Sequence, residues 1–221
     1  MEDKITAVFT SCGRFSLLER TISSFMKYNT YPIEKFIIID NSTVLDAKEI
    51  LTEITQDIPN VKIIVNDENI GQVSSIDKAY ALVDTDFIFH CEDDWEFFDS
   101  GFIEASLDVL NYRDDISNIN LRIRFDGERG SMHPIIGPYK TDNGTIYHEY
   151  AKNYLNLWHG FSWNPGLRRL CDYDLVRPYK QYNNEEGVNK IMNELCFTAG
   201  CLNNSYCKHI GTHSTTPKSN S

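Results

Sequence analysis

The sequence predicts an α/β fold: one domain with a mostly parallel central sheet and helices on both faces. Short apolar runs of the β type alternate with amphipathic helical stretches through the first hundred residues. These runs are continuously apolar, which is typical of parallel strands that are buried on both faces. A chain of 221 residues that is 41% hydrophobic is large enough for one sizeable core and short for two domains.

The first half of the chain carries the regular pattern. Strands are predicted over Ile5–Thr10, Phe36–Asp40, Val61–Val65 and Phe87–Cys91, and helices over Phe15–Tyr28, Leu45–Ile54 and Gly71–Val83. The second half is less regular: the pattern indicates a helix over Phe102–Tyr112, a strand over Asn118–Phe125, a long loop over Asp126–Gly144 and a helix over Glu185–Ala199. We therefore expect one domain over residues 1–213, with a ligand-binding half (1–98) and a second-substrate half (99–213).

Composition excludes several classes of protein. A formal net charge of -11 repels phosphate backbones, so a nucleic-acid reader is disfavoured. The six cysteines contain no CxxC pair, so zinc-ligand spacing is absent and reduced thiols are expected. No apolar run approaches the roughly 18 residues that a membrane span needs, and no signal peptide is evident, which favours the cytoplasm. The polar stretch over residues 214–221 is typical of a tail or the edge of a linker, so a longer natural chain stays an alternative.

Polar residues follow each of the four predicted parallel strands. In open α/β sheets, ligands bind beyond the carboxyl ends of the strands. The sequence therefore predicts a site at this edge, formed by Thr10–Cys12, Asp40–Asn41, Asn66–Asn69 and Glu92–Asp94.

The strongest local signal is the run HCEDDWEFF over residues 90–98. Three consecutive carboxylates after a buried strand repel one another unless a cation relieves them. A divalent metal with oxygen ligands would do so and could also bridge a diphosphate. The alternative is a solvated corner between strand and turn, which the flanking aromatic residues make less favourable.

Three weaker signals accompany the carboxylates. Asp40 could hydrogen-bond a nucleobase or ribose edge, or simply cap the next turn. Asn69 and Gly71 precede a helix, where the backbone can approach a phosphate, although no dinucleotide or phosphate-loop motif is present. The stretch WHGFSWNPGLRRL over residues 158–170 could form a sugar-stacking wall, or Trp158 and Trp163 could pack in the core.

The order of these motifs resembles that of the family 2-type glycosyltransferases with the A-type, Rossmann-like fold. The matching segments are TSCGRFSLLERTISSF, IIIDNS, NIGQVSSIDKAY and DFIFHCEDDWEF, which cover residues 4–98, with a looser match over 158–213. The compact size and the EDDW run are also similar to virus-encoded glycosyltransferases that glycosylate capsid proteins, which would act in the host cytoplasm. The resemblance implies a nucleotide-sugar donor, Mn²⁺ or Mg²⁺, a glycan or glycoprotein acceptor and, usually, inversion of the anomeric centre.

The resemblance also implies roles for individual residues. Asp40 would contact a uracil-type base, while Thr10, Ser11 and Arg14 would line the nucleotide pocket. Glu92, Asp93 and Asp94 stand at the DxD-type motif, with Asp94 as the metal ligand. The first position here is Glu rather than Asp, which weakens its expected ribose contact.

Two further residues are expected from the late part of the chain. A histidine followed closely by glycine resembles the late metal-binding histidine of A-type enzymes, and His209 fits that element better than His213. In the family that the sequence resembles, the catalytic base is a carboxylate at the start of a late helix. Glu185 and Glu186 match that place, with Glu186 slightly preferred and Asp126 or Glu128 as the next candidates. The alternative for the pair is helix capping, because Asn183 and Glu186 have capping-box spacing.

Other functions compete with glycosyl transfer. A sugar-phosphate nucleotidyltransferase would carry a glycine-rich loop after its first strand, whereas SCGRFSLLER has one glycine. A non-catalytic carbohydrate- or nucleotide-binding module with the same fold stays open at this point. The sequence does not specify the donor sugar or the acceptor, because specificity depends on a few contacts in the irregular loops.

Overall fold

The first half of the chain folds as the alternation predicts. The computed structural model describes residues 3–122, 134–152 and 160–211. Its first seven elements are β1 (Ile5–Ser11), α1 (Phe15–Tyr28), β2 (Lys35–Asp40), α2 (Ala47–Ile54), β3 (Val61–Val65), α3 (Gln72–Tyr80) and β4 (Phe87–Glu92).

The second half contains more strands than the sequence predicts. Its elements are β5 (Trp95–Phe97), α4 (Phe102–Tyr112), β6 (Ile116–Asn120), β7 (Ile135–Lys140), β8 (Ile146–Tyr150), β9 (Gly166–Arg169), α5 (Leu170–Val176), a 3₁₀ helix (Tyr179–Tyr182), α6 (Glu185–Glu194), β10 (Thr198–Leu202) and β11 (Cys207–His209).

One large sheet joins both halves. Its strand order is β3-β2-β1-β4-β9-β6-β10-β8-β7. The pairings of β1 with β2 and β4, of β2 with β3 and of β6 with β10 are parallel. Strand β9 lies antiparallel between β4 and β6, and β8 is antiparallel to β10 and β7. The predicted fold class is confirmed: a mostly parallel sheet with antiparallel insertions in its second half.

Helices cover both faces because side chains alternate along each strand. On one face, Phe9 and Phe89 pack with the buried side chains of α1, α2 and α4. On the other face, Val8 and Ile88 pack with α3, α5, the 3₁₀ helix and α6. The strand ends, and not the strand faces, are therefore left for a ligand.

Three boundaries in the second half were predicted wrongly. The strand expected over Asn118–Phe125 is β6, which begins at Ile116 and ends at Asn120. The long loop over 126–144 contains β7, an edge strand in which Gly137 and Pro138 are tolerated because an edge needs fewer ladder hydrogen bonds. The last helix ends at Glu194, and residues 198 and 199 belong to β10. Cys196, whose φ is 65°, turns the chain between them. Asp126 and Glu128 lie outside the described residues.

A small second sheet returns the end of the described chain to the end of β4. Strand β11 pairs antiparallel with β5, so that His209 lies opposite Trp95. The amide of Phe98 donates to the carbonyl of Tyr206 at 3.0 Å and extends this pairing. His209 is thereby placed next to the end of β4, although it lies more than a hundred residues later in the chain.

Two predictions from composition can be compared with the structure. The six cysteines are free thiols, of which Cys91, Cys201 and Cys207 are buried. Among the helices of the described ranges, none is long and apolar enough to cross a membrane.

Gly166→Ala should destabilise the protein, because Gly166 lies where β9 passes the backbone of β6. An added Cβ would lie 2.4 Å from the carbonyl oxygen of Ile119, a contact that no side-chain rotation relieves. We expect a loss of about 1–3 kcal/mol in the free energy of unfolding. Urea denaturation measures it, with exposed Ser100→Ala as the control. Equal midpoints for Gly166→Ala and wild type would contradict this packing.

Candidate active site

Three carboxylates lie together where β4 leaves the sheet. Asp93 is fully buried and Asp94 nearly so, while Glu92 is partly exposed. Glu92 is paired with Thr10 of β1, and the adjacent Ser11 is paired with Asp40 of β2. The parallel register therefore brings the polar ends of three strands to one edge, as predicted.

Arg14 at the start of α1 bridges two of these carboxylates. Its Nε donates to Asp93 Oδ2 at 3.1 Å, and its Nη1 donates to Asp94 Oδ2 at 2.8 Å. Nη2 makes a further contact with Asp93. The hydroxyl of Ser11 also donates to Asp93, at 2.9 Å. Burial raises the pKa of Asp93, and the positive charge of Arg14 and these hydrogen bonds act in the opposite direction.

Glu92 is the carboxylate with the most perturbed pKa. Burial and then the negative charges of Asp94, Asp93 and Glu185 raise it from 4.5 to about 8. Its Oε1 accepts a hydrogen bond from Gln72 Nε2 at 2.7 Å. The cluster therefore carries more negative charge than Arg14 alone offsets, which is the condition under which a bound cation would be stabilised.

His209 contacts Asp94 from the other side. Its Nε2 lies 3.1 Å from Asp94 Oδ2, and its ring packs edge-to-face on Trp95 at 5.2 Å between centroids. The amide of Ile210 donates to the carbonyl of Asp94 at 2.8 Å. Gly211 follows so closely that a Cβ would lie 2.6 Å from Asp94 Oδ2. The glycine two residues after His209 therefore allows this close approach, whereas His213 lies outside the described residues.

Asp94 and His209 fit the divalent metal that the sequence predicts. A carboxylate oxygen and an imidazole nitrogen, which here lie 3.1 Å apart, are suitable ligand types for Mn²⁺. In the part of the chain that the structure describes, no group of three or more His, Cys, Asp or Glu residues forms a metal cluster. Two protein ligands would leave the other coordination positions to the oxygens of a bound ligand and to water.

Asp40 is placed differently from what its predicted nucleobase contact requires. It is fully buried. Oδ1 accepts from the amide of Gly13 at 2.8 Å, and Oδ2 accepts from the amide of Ser42 at 3.0 Å. In this structure Asp40 shapes the turn at Gly13, whose φ is +73°, and a nucleobase would reach it only if that turn moved.

Three of the polar residues expected at this edge, Asn41, Asn66 and Asn69, form a hydrogen-bond network that shapes the neighbouring loop. Asn41 donates to Asn69 Oδ1 at 2.7 Å and accepts from Asn66 Nδ2 at 3.0 Å and from the amide of Ile70 at 2.9 Å. Asn69 Oδ1 also accepts from the amide of Gly71 at 3.0 Å. The sequence shows amide side chains at the strand ends, but it does not distinguish an asparagine that binds a neighbouring loop from one that binds a ligand.

Glu185 is the acid of the pair whose charge acts on the carboxylate cluster. Its Oε2 accepts from the amide of Trp163 at 2.9 Å, and its charge contributes to the raised pKa of Glu92. Glu186 is exposed. The capping box predicted from Asn183 and Glu186 is wrong. Asn184 is the N-cap of α6, and its Oδ1 accepts from the amide of Gly187 at 2.9 Å.

Asn189, which the sequence analysis did not single out, connects α6 to the loop that contacts Glu185. Its side chain accepts from the amide of Phe161 at 2.8 Å and donates to the Phe161 carbonyl at 2.9 Å. The same Nδ2 donates to the carbonyl of Glu185 at 2.9 Å. Trp163 is buried among aromatic side chains, so the core alternative holds for it, and Trp158 lies outside the described residues.

The sequence matches the profile described as "Glycosyl transferase family 2" over residues 6–169. The chain belongs to glycosyl transferase family 2. The match covers the strand ends, Arg14 and all three carboxylates, and it ends before α6 and β11. No curated protein matches this family 2 chain.

Solved structures share the fold of this family 2 protein at low identity. GalNAc-T7 with UDP, GalNAc and Mn²⁺ aligns with a TM-score of 0.72 and 13% identity, covering 96% of this chain and 44% of that one. S. aureus TarS 1–349 aligns with a TM-score of 0.62 and 13% identity, covering 92% and 59%. The mannosyltransferase PcManGT from Pyrobaculum calidifontis, in complex with GDP-Man and Mn²⁺, aligns with a TM-score of 0.50 and 10% identity, covering 56% and 36%. The chain thus spans about a third to three fifths of these proteins.

Glu92→Gln should change the pH dependence of stability. The folded protein holds a proton on Glu92 up to about pH 8, whereas the unfolded chain releases it near 4.5. This group therefore stabilises the fold fully below pH 4.5, and that stabilisation is lost as the pH rises towards 8.

We expect wild-type stability, measured in chelator by urea denaturation, to fall with pH across this window more steeply than that of Glu92→Gln. The difference should be at most about 1.4 kcal/mol per pH unit, the value for one proton. Glu96→Gln is the matched control, because ion pairs with Lys208 and Arg20 lower the pKa of Glu96 and keep it ionised in this window. Parallel curves for wild type and Glu92→Gln would show that Glu92 is ionised in the folded state.

Proposed function

We propose that this protein transfers a sugar from a nucleotide-diphosphate donor, a UDP-sugar, to a hydroxyl group of a glycan or glycoprotein, with inversion. The observation that carries the proposal is the contact of both His209 and Arg14 with Asp94 at one edge of the sheet; the charge of Glu185 also acts on the adjacent Glu92. Membership of glycosyl transferase family 2 supports the reaction class. GalNAc-T7, whose structure contains UDP, shares the fold and motivates the choice of nucleotide.

The donor would bind across the ends of β1, β2 and β4. Thr10, Ser11 and Arg14 would line the nucleotide pocket, and the Asn69–Gly71 turn would pass close to the donor. Asp40 would act through the Gly13 turn, and it would contact the base only after that turn opens. Glu92 and Asp93 would face the ribose and the phosphates, and Arg14 could then exchange a carboxylate for a phosphate oxygen.

Asp94 and His209 would hold Mn²⁺ or Mg²⁺. When bound, the metal supplies positive charge that stabilises the leaving diphosphate. The protein holds the two metal ligands in place, because the pairing of β5 with β11 fixes the positions of Asp94 and His209. Arg14 provides a second positive charge beside them.

Glu185 would accept the proton of the acceptor hydroxyl as the new glycosidic bond forms. A base must keep a lone pair free of metal, and the Trp163 amide contacts only one of the two carboxylate oxygens of Glu185 in the described contacts. We therefore place Glu185 ahead of Glu186, which reverses the preference drawn from the sequence. The second half of the chain, from residue 99 to 213, would contribute the acceptor side.

The reaction is tested by incubating the protein with nucleotide sugars and Mn²⁺, with and without a hydroxyl acceptor. Transfer, or slow hydrolysis of the donor when no acceptor is present, is expected to require the metal. A donor that binds but stays intact under all conditions would contradict catalysis and favour a binding module.

Asp94→Asn should abolish metal-dependent turnover while preserving the fold. The amide keeps the shape and removes the charge at the metal, so we expect at least about a hundredfold lower kcat/KM, since a metal contributes several kcal/mol and each 1.4 kcal/mol is tenfold. Asp99→Asn, an exposed carboxylate five positions away, is the control. Undiminished transfer by Asp94→Asn would remove Asp94 from the mechanism.

Glu185→Gln and Glu186→Gln form a matched pair of variants on adjacent positions. Loss of a general base lowers turnover by roughly 10²–10⁴-fold while donor and metal still bind. We expect this loss for Glu185→Gln and less than about tenfold for Glu186→Gln, measured as kcat with the donor Kd from calorimetry. The reverse result would assign the base to Glu186, and near wild-type rates for both would place it elsewhere.

A further inference from the structure

A second polar cluster lies inside the protein, on the face of the sheet covered by α3 and α6. Tyr80 of α3, His90 of β4 and Arg168 of β9 are 1%, 0% and 2% exposed. The rings of Tyr80 and His90 lie 5.8 Å apart, edge to face. The positive charge of Arg168 acts on both groups. This cluster belongs neither to the donor site nor to the base.

Most polar atoms of the cluster lack a partner at hydrogen-bond distance and angle, although the Arg168 guanidinium lies close enough to the Tyr80 hydroxyl to act on its pKa. These atoms are Tyr80 Oη, His90 Nδ1, His90 Nε2, Arg168 Nε and Arg168 Nη1. Arg168 Nη2 donates to the carbonyl of Ser162 at 3.2 Å, and the guanidinium lies over the ring of Phe161 at 5.2 Å. Buried polar groups normally form hydrogen bonds, so these unpaired atoms indicate that a hydrogen-bond partner is missing.

The missing partner must accept hydrogen bonds. Arginine stays protonated in proteins and offers only donors, and a tyrosine hydroxyl can donate as well. Burial lowers the pKa of His90 well below its usual value, so the imidazole is neutral and donates from one nitrogen. Four N–H or O–H groups from three side chains are therefore available to one acceptor.

The partner should also carry negative charge. Leaving a guanidinium buried without a counter-ion is costly. The carboxylate whose charge acts on Tyr80 is Asp77. It already accepts from Tyr173 Oη at 2.8 Å and from the amides of Tyr179 and Lys180, each at 2.8 Å. Within the described residues, Arg168 makes no ion pair, and the aromatic side chains packed on this face favour a small ion over a larger one.

We propose that Tyr80, His90 and Arg168 enclose a binding site for one small inorganic anion of the halide class, such as chloride. The anion would accept hydrogen bonds from Arg168 Nε and Nη1, from Tyr80 Oη and from one nitrogen of His90. Arg168 contacts the carbonyl of Ser162, and the amide of the next residue, Trp163, binds Glu185. The anion site therefore contacts the same loop as Glu185. The proposal does not depend on the proposed function.

Two measurements test the site directly. Crystals grown in sodium bromide should show an anomalous peak in hydrogen-bond contact with Arg168 Nε. The Tm of the protein should rise with chloride or bromide at constant ionic strength, with sodium gluconate as the balancing salt, because gluconate is too large to enter. Above saturation, the rise should be about 3–6 °C for each tenfold increase in halide. Water density alone, with the same Tm in halide and gluconate, would overturn the proposal.

Variants separate this site from general salt effects. Arg168→Met should abolish the halide dependence of Tm, whereas Arg20→Met, which removes an exposed arginine, should keep it. If Arg168→Met does not fold, Tyr80→Phe serves instead, because it removes a single donor. It should raise the halide concentration needed for half of the stabilisation roughly tenfold. An unchanged halide response in the folded variants would refute the assignment.

Discussion

The charge balance at the end of β4 is the constraint on which the rest of the site depends. Asp93 and Asp94 leave the sheet buried and adjacent, and Arg14 is the cation that reaches both. Because Arg14 begins α1, compensation of this charge also fixes where α1 starts. Thr21, one to two turns further along α1, completes the junction: its hydroxyl donates to the Asp93 carbonyl at 2.8 Å and accepts from the Trp95 amide at 3.1 Å.

The other parts of the site are positioned around this junction by backbone pairing. Strand β11 pairs with β5 directly after the carboxylates, and this pairing delivers His209 to Asp94. On the opposite face, α6 is attached to the loop before β9 by the side chain of Asn189. Both the β5–β11 pairing and the Asn189 hydrogen bonds involve main-chain groups. The positions of His209 and Glu185 therefore depend more on where the strand and helix lie than on side-chain rotamers.

The first half of the fold could be predicted because its signals are local. A continuous apolar run followed by an amphipathic stretch specifies strand and helix within a short window, and α1 and β3 were predicted with the observed bounds. In the second half, β9 is inserted antiparallel between β4 and β6, and β7 contains Gly137 and Pro138. Pairing of this kind depends on distant partners, which no short window contains.

The sequence by itself determined the fold class, the polar edge of the sheet and the residue types gathered there, because parallel strands in register bring their carboxyl ends together. Only the tertiary structure decided which way individual side chains face. It buried Asp40 against the Gly13 turn, placed Glu185 on the Trp163 amide while Glu186 stayed exposed, and brought His209 within 3.1 Å of Asp94. The physical reason is that orientation depends on contacts between segments far apart in the chain, whereas periodicity reports only which residues are buried.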